Sequence, residues 1–176
     1  MGHAMMLSPT VALFLVATLG ADAALQAKSK KKDKADKFVQ AVTISGECVK
    51  LVHAGHSADG CENILVNMNY STGVSAYWFI SHRTILSFAG DGSRRIEQGS
   101  DIVIQSIDRV VLATKANDSK RDGTKEDAAI GFCRFGDPTR KGMKVECMAH
   151  TQVGFYEGTF VADGNPPKLE KFQISR

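Results

Sequence analysis

Apolar residues at helical spacing are missing over any long stretch of this 176-residue chain. That removes helical bundles and alternating α/β folds, which need amphipathic helices to cover their cores. No Cys-x-x-Cys pair occurs, although zinc knuckles use such short spacing to place two thiolates on one ion. Nor does the chain carry a Gly-x-Ser-x-Gly elbow, a P-loop or a His-Glu-x-x-His helix. The usual sequence signatures of serine hydrolases, nucleotide hydrolases and zinc peptidases are therefore lacking. No motif for a cofactor is present either.

Positive charge is absent from the first 27 residues. All 22 Lys and Arg come later, and six of them fall in "KSKKKDKADK", residues 28–37. Residues 38–176 hold 16 basic and 16 acidic side chains, a net charge of zero. The basic balance thus belongs to a short run. Such a run reads as a solvated leader that can contact anionic lipid. A neutral remainder argues against nucleic acid as a partner, because that partner selects a basic face.

What is present first is "LSPTVALFLVATLGADAA", residues 7–24. An apolar stretch at 11–19 precedes Ala21-Asp22-Ala23, a small-x-small cleavage pattern. The stretch is shorter than the roughly 20 residues that span a bilayer. The expected organisation is a signal peptide at 1–23, a basic leader at 24–37 and one domain at 38–176. The absence of Lys and Arg before the apolar stretch, with lysines after it, runs against the usual charge asymmetry of export. An uncleaved anchor is the rival reading. The cysteines favour export, to the periplasm or the extracellular space.

There are four cysteines: Cys48, Cys61, Cys133 and Cys147. An even number in an exported chain reads as disulfides. "AIGFCRFGDPTRKGMKVECMAH" folds as a hairpin about the turn cluster "GDPTRKG", which puts Cys133 opposite Cys147 and Phe135 opposite Val145. Cys48 opposite Cys61 likewise sets Lys50 against Asp59. Each closed loop of about 14 residues contributes roughly 3 kcal/mol in the chain-entropy model. The competing use of this segment is a metal site on His53 and His56, with Asp59 and Glu62 nearby. An oxidising compartment would consume the thiols such a site would want.

The remaining segments alternate as strands do. In 64–70, Ile64, Val66, Met68 and Tyr70 share one face, and Asn67 and Asn69 the other. In 74–80, Val74, Ala76, Trp78 and Ile80 share a face that reads as core. Tyr77 and Phe79 then point the other way, where two aromatics form a candidate interface. Residues 84–90, 101–114, 151–162 and 168–174 are further strand segments; 101–114 reads as one long strand or two, and 151–162 as two short ones. The fold class expected is all-β: an antiparallel sandwich or barrel-like domain with two disulfide-stapled hairpins.

Candidate sites are few. Arg94 and Arg95, in "SRR", are suited to gripping a carboxylate or phosphate. "DSKRDG" resembles a calcium loop but puts Lys120 and Ala129 where ligands belong. Asn69 and Asn117 stand in glycosylation sequons. His82 and His150 are the histidines available to a hydrolytic site with distant carboxylates. The reading favoured is an exported, non-catalytic binding or interaction module of the cell envelope, with an envelope protein or an anionic surface ligand as partner. The alternatives are a small secreted hydrolase with a His–carboxylate site, and a His-based metal-binding protein.

Overall fold

The computed structural model describes residues 38–99, 101–114 and 123–173. The signal segment, the basic leader, Asn117 and the calcium-like residues 118–122 lie outside the described residues. Eleven strands account for the described structure: β1 Phe38–His53, β2 His56–Ser57, β3 Cys61–Tyr70, β4 Val74–Ser81, β5 Thr84–Asp91, β6 Arg95–Gln98, β7 Ile102–Thr114, β8 Thr124–Phe135, β9 Lys144–Thr151, β10 Gly154–Ala162 and β11 Lys168–Gln173.

Eight of them close an antiparallel barrel in the order β1-β3-β4-β5-β7-β8-β9-β10, with β10 returning to β1. Strand β1 is long enough to serve two neighbours along one edge. Its second half, from Gly46 to Val52, pairs with β10 and closes the barrel. Its first half, from Phe38 to Thr43, pairs with β11. Segment 163–167, "DGNPP", breaks the chain between these partners. Pro166 and Pro167 have no N–H to give a ladder, and Asp163 is tied to Ser45 by its backbone N–H and its carboxylate.

Closure decides which face of each strand is core. Phe79, Phe88, Phe160, Leu65, Leu86, Val110 and Val145 are fully buried inside, so the interior is a filled core and not a channel. Gly158 faces Phe79 across it; a Cβ there would stand 2.6 Å from the ring, so the glycine provides the space the aromatic occupies. Three register shifts interrupt the barrel ladders, one of them between Cys61 and Leu65 in β3, and the other two keep the alternation in step with closure. These two lie between Cys48 and Lys50 in β1, and between Ile107 and Arg109 in β7. Past the shift in β7 Val110 and Leu112 take up the inward facing of Gln105 and Ile107, so 101–114 is one strand with a kink. Residues 151–162 likewise hold one continuous strand, β10.

The disulfides are Cys48–Cys61 and Cys133–Cys147, and no described cysteine is free. Cys133 stands opposite Cys147 on β8 and β9, the register read from the sequence. Cys48–Cys61 ties β1 to β3. Lys50 there stands opposite Thr159 of β10 and pairs with Glu157 at 2.8 Å, not with Asp59. The correction follows from closure, which gives this part of β1 to β10. Such bridges are compatible with an oxidising extracellular or periplasmic location.

The facing of β4 is the reverse of the expectation. Tyr77 and Phe79 are 3% and 1% exposed and lie inside, so they are no interface. The Val74, Ala76, Trp78 and Ile80 face is the outer one. Alternation defines two faces without saying which is inward, and in β4 both are apolar. Phe79 has Gly158 to pack on, and Tyr77 lies against Phe135 with ring centroids 5.1 Å apart.

Candidate functional site

The end of the barrel where β1 begins is ringed by polar side chains. Hairpin β6–β7 places Arg95 directly opposite Gln105, so both look onto the barrel mouth. Gln105 is wholly buried, and its Nε2 donates to the Ser75 carbonyl at 3.1 Å. Its Oε1 accepts from Arg95 Nε at 3.2 Å. Arg95 Nη2 donates to Ser75 Oγ at 3.1 Å and to Asn69 Oδ1 at 3.3 Å. The guanidinium carbon lies 5.5 Å from the centre of the Phe135 ring, within cation–π range.

The acceptors are themselves held. Asn67 Nδ2 donates to Ser75 Oγ and to the Ala76 carbonyl, and Asn69 Nδ2 donates to Asn67 Oδ1. Asn67 and Asn69, which share one face of β3, are therefore the polar lip of the interior. Asn69 is half-buried in this network, which places its side chain at the lip and not out in solvent as a glycosylation site needs.

Beneath Arg95 lies a cavity of about 150 Å³. Val42, Ile44, Val145, Met143 and Pro138 form its apolar wall, and Asn67, Tyr77 and Arg95 its polar one. The Tyr77 hydroxyl makes no hydrogen bond among the described residues. Burial pushes its phenol well above the usual range, against a smaller opposing pull from Arg95, so it stays a neutral donor.

Two features combine at Arg95. Among the described residues it has no carboxylate partner, as exposed Arg83 at the β4–β5 turn also has none, whereas Arg94 pairs with Asp91, Arg109 with Asp108 and Glu126, Arg134 with Glu146, and Arg140 with Asp101. Its three bonds go to neutral oxygens through Nε and Nη2, which leaves both Nη1 hydrogens unused. The sequence offered Arg94 and Arg95 together. The structure separates them: Arg95 is fixed over the cavity, and Arg94 is a surface ion pair.

The other candidates are placed as follows. His53 faces His56 across the Ala54–Gly55 turn at the opposite end of the barrel. Its Nε2 is buried without a hydrogen-bond partner, and burial lowers its pKa. Among the described residues no group of three or more His, Cys, Asp or Glu side chains is arranged to hold a metal ion. His82 is exposed at the β4–β5 turn, and exposed His150 packs on Phe155 at 4.8 Å. Neither bonds a carboxylate among the described residues.

A larger groove of about 330 Å³ runs over the outer face of β4, β5 and β7. Ala76, Ala89 and Ala113 floor it, and Trp78, Ile85 and Val111 wall it. Its one cation, Arg109, is already neutralised by Asp108 and Glu126. The groove is roomier than the mouth, and the hydroxyls of Tyr70, Thr72 and Ser87 line it, but it has no unpaired charge to orient a ligand. The mouth has one, which makes it the stronger site. What sequence reading missed was Ser75 and Gln105; Tyr77 and Asn69 it singled out for other roles, an outward interface and a glycosylation sequon. Only the polar residues recurring inside apolar strands hinted at them.

No protein family, curated protein or solved structure matches this chain.

Proposed function

We propose that this chain is an exported, non-catalytic binding module of the cell envelope, and that the barrel mouth holds an anionic group of its ligand. The observation that carries this reading is Arg95: a guanidinium fixed by three neutral oxygens and an aromatic ring, without a carboxylate, and with Nη1 free. A cation locked in this way is organised before the ligand arrives, so little side-chain entropy is lost on binding. The site has a donor for an anion but no nucleophile with a base beside it, so it is suited to holding a group and not to transforming one.

The test is titration of the oxidised protein with sodium acetate and with inorganic phosphate, followed by the side-chain amide resonances of Asn67, Asn69 and Gln105. Saturable shifts with at least one anion, in the millimolar range expected of a single exposed charge pair, support the reading. Arg95→Gln should abolish them while leaving the dispersed spectrum intact. Shifts that never saturate, or that persist in Arg95→Gln, overturn it. Export is tested separately: protein recovered from its native cells should carry both bridges and start near Ala24, and four free thiols would refute it.

A further inference from the structure

Resting on that reading, we infer that the ligand is a monocarboxylate bearing an apolar group about the size of a benzene ring. Its carboxylate would lie on Arg95 and its apolar end against Val42, Ile44 and Val145.

Three features of the mouth point to this class. The first is size. A cavity of about 150 Å³ belongs to the class that stays dry when apolar and takes up benzene. It lies below the roughly 300 Å³ at which pockets for drug-sized ligands begin, which argues against a ligand as large as a nucleotide.

The second is the division of polarity. Arg95 is exposed at the rim, whereas Ile44 and Val145 are buried deeper within. A molecule charged at one end and apolar at the other matches that gradient in one orientation only. Phe135 spans the two zones, since its ring lies beneath the guanidinium and also lines the cavity.

The third is the count of unspent donors. Asn67 has committed both amide hydrogens to Ser75 and Ala76. The groups left are the two Nη1 hydrogens of Arg95 and the hydroxyl of Tyr77. Two separate donors suit the two oxygens of one carboxylate. A phosphate carries about −1.5 to −2 charges and three acceptor oxygens, and this cavity has one cation to set against them. Lys141 and Lys144 line a neighbouring cleft beyond Gly136 and Met143, not this one. A protonated Tyr77 adds no charge of its own to repel the anion.

The carboxylate has two conceivable sources, a free acid or the C-terminal residue of a polypeptide, and the chemistry at Arg95 is the same for both. The probes are therefore phenylacetate, phenylacetamide, acetate, inorganic phosphate, a short peptide ending in Phe with a free carboxylate, and the same peptide amidated. Calorimetry on the oxidised full-length protein should show phenylacetate or the free-carboxylate peptide binding at least tenfold more tightly than acetate. That gain follows from burying one aromatic group. Phenylacetamide and the amidated peptide should lose it. Tyr77→Phe should weaken binding several-fold, and Arg95→Gln should abolish it.

Val42→Phe fills the apolar end and should remove the advantage of phenylacetate while sparing acetate. If the free acid alone binds, the ligand is a small metabolite; if the peptide binds at least as well, it is a chain end. Equal affinity for acetate and phenylacetate, or tightest Arg95-dependent binding of phosphate, overturns this inference but leaves the binding reading standing. Absence of any Arg95-dependent binding overturns both.

Discussion

Gln105 and His53 are both polar groups at the ends of a barrel core, and they differ in what answers them. Gln105 is satisfied through Ser75 and Arg95. The His53 Nε2 is not, and an unmet buried nitrogen is costly. Because burial lowers its pKa from 6.5, His53 is neutral in both folded and unfolded chains above that pH. Below it the unfolded chain takes up the proton first. Stability therefore falls as pH drops from 6.5 towards the folded value and then levels off. His53→Gln should flatten that part of a plot of urea midpoint against pH; an unchanged slope would refute the assignment. The carboxylates of Asp91, Asp137 and Asp163 act in a separate window. Hydrogen bonds from Ser93, Thr139 and Asn165 hold them below the usual 3.8, so what they contribute is present above that value and lost only as pH falls through their lowered values. At this scale the sequence marked Arg95 as an anion contact. It could not mark Ser75 or Gln105, because their role exists only once strands 20 to 30 residues apart converge on one barrel mouth.

Among elements, β4 shows where strand reading stops. Its period of two was plain in the sequence, and its boundaries emerged nearly as read. Which face turned inward was not readable, because Tyr77 and Phe79 alternate with Ala76 and Trp78 and both sets are apolar. The glycine at position 158, on a strand over 70 residues away, settled it by leaving room for Phe79. The register of the β8–β9 hairpin was legible, since a local turn and two cysteines of matching parity fix it, but the start of β8 at Thr124 was not. The two staples should behave differently. Cys133 and Cys147 are wholly buried, whereas Cys48 and Cys61 are partly accessible. Mild reductant should open Cys48–Cys61 first, with loss of about 3 kcal/mol for a loop of roughly 15 residues. Cys133–Cys147 should resist until the chain unfolds. Peptide mapping after timed alkylation reads the order, and simultaneous opening would contradict it.

For the molecule as a whole, closure rests on β1 and β10, which meet across more than a hundred residues of chain. Gly46 lets them approach: a Cβ there would come within 2.1 Å of the Val161 carbonyl oxygen. Strand β11 adds to the sheet beside β1 but takes no part in closing it. All six of its residues are exposed, so its ladder is offset by the entropy of ordering it, both terms being about 1 kcal/mol per residue. Removing residues 168–176 should leave the barrel closed, with a native-like near-ultraviolet spectrum and a stability change of about 1 kcal/mol or less. Collapse of that spectrum would show that β11 completes the core.

The sequence alone determined the all-β class, most of the strand segments, though not the first half of β1 or β6, and the pairing of the cysteines. These follow from local rules: side chains alternate along a strand, and turn residues set the register of a hairpin. Closure of the barrel, the inward turn of Tyr77 and Phe79, and the assembly of Arg95, Ser75, Gln105 and Asn69 at one mouth were decided by tertiary structure. Each of these depends on which distant strands become neighbours, and that is fixed by how the whole interior fills.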